Sequence, residues 1–316
     1  MRKLWMLLVA VALSAALPAQ TGDADLLVLE SSGKVKYFAP DGSKMKLESG
    51  MKIDPEGSLK LCPKAKVQVL QGIEVTTFDE KGRHSLTAEL PEEPATSRFG
   101  FGGEFLALVS QTMENTDDPP PPPPTSTKKG MGGASDDPPP PPPTSTKKGM
   151  GGGETSSYSF PVKGNIVAGT TLFSWASLPQ ATAYDFQIKP AGSDEPVFTA
   201  APAEHFVEID LSGKAFKPGT KYIWTASGSN GITLGQNEFT LVTEADAAKV
   251  LQDMEVTSEP EYQAAGEVQQ WLWEAYAYEQ AGYFYKAWKL YGKAWETDNG
   301  NDLIYRMYSA FLFRVW

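Results

Sequence analysis

Residues 117–133 read DDPPPPPPTSTKKGMGG, and the same seventeen residues return at 136–152, nineteen positions later. Proline fixes φ and has no N–H, so a hexad of it can enter neither a helix interior nor a central strand. Each hexad is expected in polyproline II, spanning roughly 19 Å at about 3.1 Å per residue. The Gly-Met-Gly-Gly pieces between them read as joints. Two Asp and two Lys make each unit neutral, so self-repulsion does not extend it. The repeat is read as a semi-rigid spacer duplicated as a block, with a docking track for a polyproline-binding groove as the functional alternative. It divides the chain into a front and a back half, which are expected to fold separately.

At 316 residues there is room for two or three domains. Residues 1–19 read as a secretory signal peptide: Arg2 and Lys3 precede the apolar stretch Leu4–Leu17, and Ala16 and Ala19 offer cleavage sites. Fourteen apolar residues are too few to cross ~30 Å of hydrocarbon as a helix. The mature chain is therefore expected to be exported, periplasmic or at the cell surface, with no membrane span. Losing Arg2 and Lys3 takes the net charge from −11 to −13. So acidic a chain, with no basic stripe along its sequence, argues against nucleic acid and anionic lipid as partners. Cys62 is the only cysteine, so stability is expected from packed cores without an internal disulfide.

In residues 24–90, short apolar or alternating runs are separated by Pro/Asp/Gly turns. Leu26–Glu30, Val35–Phe38, Met45–Leu47, Met51–Ile53, Leu59–Leu61, Val67–Leu70, Val75–Phe78 and His84–Leu90 follow one another. Evenly spaced short strands predict a small all-β sandwich or roll. Gly33-Lys34-Val35, the Asp41-Gly42 turn, Leu47…Gly50…Ile53 and Val67–Leu70 resemble the FecR-like β domain of bacterial envelope proteins. That resemblance implies an extracytoplasmic sensory or interaction role and brings no catalytic residues. Residues 91–153 form the linker, with one short helix expected over Glu104–Glu114.

Residues 154–242 read as a β-sandwich. Leu172-Phe173-Ser174-Trp175 places a Trp in a core, and Tyr184-Asp185-Phe186-Gln187-Ile188 alternates apolar and polar. Phe216, Pro218, Thr220 and Tyr222 form a hydrophobic-x-Pro-x-Thr-x-Tyr corner. The segment resembles a fibronectin type III-like domain, which implies that the Tyr222 hydroxyl bonds back to nearby backbone. Trp175 and Trp224, in alternating strands, are expected in the core rather than on a sugar platform.

The period changes from two to 3.6 after Val242. Thr243 with Asp246 predicts an N-cap, and Ser258-Glu259-Pro260-Glu261 a capping box. One helix is expected from Pro260 through Tyr278 to Gly282, a second around Ala287–Ala294, and a third capped by Asp302 and reaching Trp316. Trp271, Ala275, Tyr278, Gly282, Ala287, Tyr291 and Ala294 resemble one tetratricopeptide repeat, with Glu274 and Asn299 departing from its pattern. A lone repeat cannot bury its face, so residues 243–316 must dock on something. Fifteen of the last forty-six residues are aromatic, more than one helix pair hides. Two fates are open to them: packing between the helices and the sandwich, or a partner groove drawn from Trp273, Tyr283, Tyr285, Trp288 and Trp295; an outer-membrane strand ending in Trp316 fits less well than the helix period.

Recognisable catalytic chemistry is lacking in the sequence. His84 and His205 lie in separate segments, and His-Glu-x-x-His, Cys-x-x-Cys and Gly-x-Ser-x-Gly are all missing. The expected architecture is multidomain: an all-β front, the proline-rich linker, the sandwich and helical hairpins. The expected function is non-enzymatic protein–protein interaction or surface scaffolding in the cell envelope, without cofactor or catalytic residues. A FecR-like sensory protein and a carbohydrate-binding accessory protein are the alternatives.

Overall fold

The computed structural model describes residues 26–71, 74–91, 100–114, 159–178, 183–229 and 231–315. The segment expected to be a signal peptide, both proline hexads and Trp316 lie outside the described residues.

Eight strands form the front: β1 (Leu26–Ser32), β2 (Val35–Phe38), β3 (Lys44–Met45), β4 (Lys52–Ile53), β5 (Ser58–Leu61), β6 (Lys66–Gln71), β7 (Glu74–Phe78) and β8 (Gly82–Ser85). They make two antiparallel sheets of order β4-β1-β6-β7 and β3-β2-β5-β8. Leu26, Val28, Val35, Tyr37, Leu59, Leu61, Val67, Val69 and Phe78 fill the space between them. A one-turn helix, α1 (Leu86–Glu89), closes the unit. The run Leu26–Leu29 does not alternate because β1 is covered on both faces. Leu26 and Val28 point into this core, and Leu27 and Leu29 point out of it into a second one.

Helix α2 (Phe101–Glu114) starts three residues before the expected helix. The sandwich follows with β9 (Ser159–Phe160), β10 (Gly164–Val167), β11 (Thr170–Trp175), β12 (Tyr184–Pro190), β13 (Phe198–Ala200), β14 (Phe206–Asp210), β15 (Lys221–Gly228) and β16 (Thr233–Val242). A five-stranded sheet β10-β16-β15-β12-β13 faces a three-stranded sheet β14-β11-β9. Trp175 and Trp224 are fully buried and stack on Phe186 with ring centroids 5.5 and 6.0 Å away, so they are core. The Tyr222 hydroxyl accepts the Lys217 N–H at 2.8 Å, the corner contact that the resemblance implied.

The helices are α3 (Glu244–Asp253), α4 (Pro260–Ala264), α5 (Glu267–Gln280), α6 (Phe284–Thr297) and α7 (Asp302–Val315). Thr243 and Asp246 make the reciprocal capping box that starts α3. Three expectations fail here. The helix foreseen from Pro260 breaks at Ala265-Gly266, and Ser258 caps nothing: its hydroxyl bonds to the Glu255 carbonyl. At α7 the capping side chain is Asn301, whose Oδ1 accepts from Leu303 N at 3.1 Å and Ile304 N at 3.4 Å, rather than Asp302.

The expectation that front and back fold separately also fails. One continuous apolar core joins Leu27, Leu29 and Leu70 of the front, Phe101–Met113 of α2, Phe160 and Leu172 of the sandwich, and the inward faces of α5, α6 and α7. Each unit has an apolar face its own core cannot use, and the helices are where those faces meet. Met113, in the last turn of α2 before the proline repeats, and Phe160, in the first strand after them, both lie in this core. The linker therefore leaves and rejoins a single body.

Candidate interaction site

Aromatic residues dominate the helical module because α5 and α6 have several faces to cover. Ala275, Ala277, Ala287 and Ala294 are fully buried, which lets the helices approach closely while large rings fill the periphery. Tyr291 stacks between Tyr308 (6.2 Å) and Phe311 (5.0 Å) of α7.

Four of the five rings considered for a partner groove are interior. Trp273, 3% exposed, sits 4.3 Å from Phe105 of α2. Trp288, fully buried, lies 4.7 Å from Phe160 of the sandwich. Tyr285 packs on both Phe160 and Trp288, and its hydroxyl accepts the Leu172 N–H at 3.0 Å. Burial pushes the Tyr285 phenol up to about 12. Tyr283 is buried against Tyr278. A groove of these residues is therefore corrected to intramolecular packing. The other fate read from the sequence, packing against the sandwich, holds for Tyr285 and Trp288 on Phe160; the cover of Trp273 by α2 was not foreseen.

Trp295 alone of the five is half-exposed, with its ring 5.6 Å from Tyr305 of α7 and its indole nitrogen covered. At the same end of the helices is a residue assigned by spacing to repeat packing. Trp271 is half-exposed, with the Lys293 ammonium 3.8 Å from its ring centroid. Trp271 near the start of α5, Lys293 and Trp295 near the end of α6, and Tyr305 near the start of α7 thus share one end of the helical unit. At the opposite end, Arg314 reaches Glu279 near the end of α5 (2.7 and 3.0 Å), and the adjacent Phe313 is 69% exposed. Phe313 went unnoticed in the sequence, where it is one apolar residue in a helix of them.

Polar contacts between distant segments hold this surface in place. Glu30 of β1 accepts from Gly266 N at 3.0 Å and pairs with Lys66 at 3.5 Å, while Lys66 also reaches the Ala264 carbonyl. Gln269 donates to the Leu29 carbonyl at 2.6 Å. Glu259 accepts the Gly102 N–H at 3.2 Å, satisfying a free donor at the start of α2 from 157 residues away. On the sandwich side, Asn165 N donates to the Gly282 carbonyl at 2.8 Å.

Where β10 and β16 meet α6, Lys163, Asn165, Lys221, Glu238, Thr240 and Phe284 line an open pocket of about 290 Å³. Its one ion pair, Lys221–Glu238, joins exposed partners. No cluster of His, Cys, Asp and Glu suited to a metal occurs among the described residues. No helix among them is long and apolar enough to cross a membrane.

No family model matches the chain, and no curated protein matches it. Solved structures do show a likeness. The fibronectin(III)-like modules of Clostridium thermocellum CbhA match over 28% of this chain and 94% of theirs, at 13% identity and a TM-score of 0.19. The FN1–FN3 domains of chicken CNTN1 match over 70% of this chain and 58% of theirs, at 12% identity and a TM-score of 0.21. Scores this low carry no functional argument. The sandwich assignment stands on the strand order and the Tyr222 corner described above.

Proposed function

We propose that this is a non-enzymatic protein of the cell envelope whose task is to hold a partner protein, a scaffold rather than a catalyst. The observation that carries the reading is the single body itself. Three units far apart in sequence are joined through one aromatic core and several cross-segment hydrogen bonds, which fixes the position of whatever surface they expose. Preorganisation of this kind reduces the entropy lost on binding. The proposed contact is the end of the helices bearing Trp271, Lys293, Trp295 and Tyr305. A partly exposed tryptophan under a cation and a second partly exposed tryptophan at the same end are of the residue types enriched in protein interfaces.

Within this reading the front unit is the FecR-like domain and α5–α6 the tetratricopeptide-like pair, both supported by residue spacing. Export follows from the proposed signal peptide.

The test pairs folding with capture. Wild type and the Trp271→Ala/Trp295→Ala double variant are immobilised and exposed to native envelope extract. The double variant should melt within a few degrees of wild type yet lose at least about 90% of the captured partner, the scale of a hot-spot loss. Equal capture by both would move the contact elsewhere.

A further inference from the structure

The sequence has no basic stripe, but the fold builds one. In the sheet β3-β2-β5-β8, Lys36 lies directly opposite Lys60, and Lys60 directly opposite Arg83. All three are exposed and share the face turned away from the core, since their neighbours Val35, Tyr37, Leu59 and Leu61 are buried. Lys44 on β3 is opposite Phe38 and belongs to the same face. The Lys44 ammonium and the Arg83 guanidinium stand 5.5 and 5.0 Å from the Phe38 ring centroid. No acidic residue occurs anywhere in these four strands. Arg83 bonds only the Ser58 hydroxyl, and Lys36 and Lys60 have no ion-pair partner among the described residues.

Like charges directly opposite one another destabilise a sheet. Here two successive pairs do so in a chain whose net charge is −11, where acidic residues would have been the commoner neighbours. The Phe38 ring and the Ser58 hydroxyl hold Arg83 in place, but no carboxylate among the described residues neutralises the row, which points to an anionic partner from outside. We propose that this face binds a linear acidic polysaccharide, whose carboxylate or sulfate groups run along the Lys36–Lys60–Arg83 row. The row crosses the strands in steps of about 4.8 Å, so it presents a line of charge to a polymer. A folded protein partner fits poorly, because interface cores are depleted in Lys and rich in apolar anchors, and Phe38 is the one large apolar side chain here. A lipid surface or nucleic acid would bring the whole acidic body close to a dense negative charge, whereas a single polymer strand touches the row alone.

The test uses the full chain in affinity electrophoresis through gels containing polygalacturonate, with neutral dextran as reference. Polygalacturonate should retard the protein, less so as salt rises, and dextran should not. The K36Q/K60Q/R83Q variant should bind at least tenfold more weakly while melting no lower than wild type, because the repulsion is gone. K214Q/K217Q/K289Q removes the same charge elsewhere and should bind as wild type, as should Lys60→Arg. Equal retardation of the two triple variants would overturn the proposal, as would binding to dextran. Tighter binding to poly-glutamate or to phosphatidylglycerol vesicles than to polygalacturonate would overturn the choice of partner. If K36Q/K60Q/R83Q melts lower, Lys60→Glu decides: retained binding by that variant sinks the proposal.

Discussion

Two residues show how far environment departs from residue type. Trp288 and Trp295 sit seven positions apart on α6, yet one is enclosed by Phe160 and Tyr285 and the other is half-exposed beside Tyr305. Trp288→Ala should cost about 3–5 kcal/mol as a cavity in the core. Trp295→Ala should cost less, because Trp295 is only partly buried. Chemical denaturation of the two variants tests the ranking. His84 gives a second case. Its Nδ1 is 2.8 Å from the Glu89 carboxylate and its Nε2 is 2.9 Å from the Glu80 carbonyl. Both neighbours only accept, so both bonds form only with the imidazolium, and these contacts, Glu89 foremost, raise the histidine above its ordinary value. A folded pKa above the unfolded one adds stability that is fully present below about pH 6.5 and lost as pH rises through the folded value. The protein should therefore lose stability between pH 6 and pH 8 by an amount that His84→Gln removes (these pH limits are set roughly around the unfolded pKa). Identical pH dependence in the variant would disprove the clamp.

Among the elements, α5, α6 and α7 are tied by one polar cluster within an apolar setting. Glu279, 6% exposed, takes a two-pronged contact from Arg314 of α7 and a 3.3 Å bond from the Tyr291 hydroxyl of α6. Burial, foremost, and then the Glu279 charge push the Tyr291 phenol well up, so it stays a neutral donor. Arg314→Met should destabilise by about 2–3 kcal/mol, somewhat below the cost for a fully enclosed pair because Arg314 is partly solvated. Adding Glu279→Gln should recover part of that loss by removing the stranded charge. Urea melts of the single and double variants read the difference directly. The front sheet meets the helices just as closely. Gly50 has φ +86°, and a Cβ there would lie 2.9 Å from the Leu303 nitrogen. Gly50→Ala should cost about 1–3 kcal/mol, and should lower the melting of the whole body rather than of the front alone.

The whole molecule turns on where the linker is attached. Its flanks, Met113 and Phe160, lie in one core, so unit number does not set a distance between independent halves. Deleting residues 117–135 shortens the 44-residue stretch 115–158 to 25. On loop-closure grounds that should stabilise the protein by only about 0.5 kcal/mol. Small-angle scattering should give a body with unchanged internal distances. A spacer between separate halves would instead bring them closer and leave two melting transitions, so calorimetry and scattering together decide the matter.

The sequence by itself determined what depends on neighbours along the chain. Alternation marked strands such as Tyr184–Ile188, the Phe216–Tyr222 motif carried the resemblance that implied the corner, Thr243 and Asp246 started α3, and a 3.6-residue period marked the helices. Each is set by backbone geometry over a few residues. Only the tertiary structure decided which surplus apolar faces would cover one another. Leu26–Leu29 could be read as a strand, but not as a strand whose outer leucines meet α5 from 240 positions away. Trp288 could be read as a ring with the sandwich as a candidate cover, but nothing in the sequence placed α2 over Trp273. The row of Lys36, Lys60 and Arg83 follows the same logic: strand pairing assembled it from three separate segments, each with a single unremarked cation. Burial and charge density are properties of what meets in space, and one-dimensional order leaves the meeting unspecified.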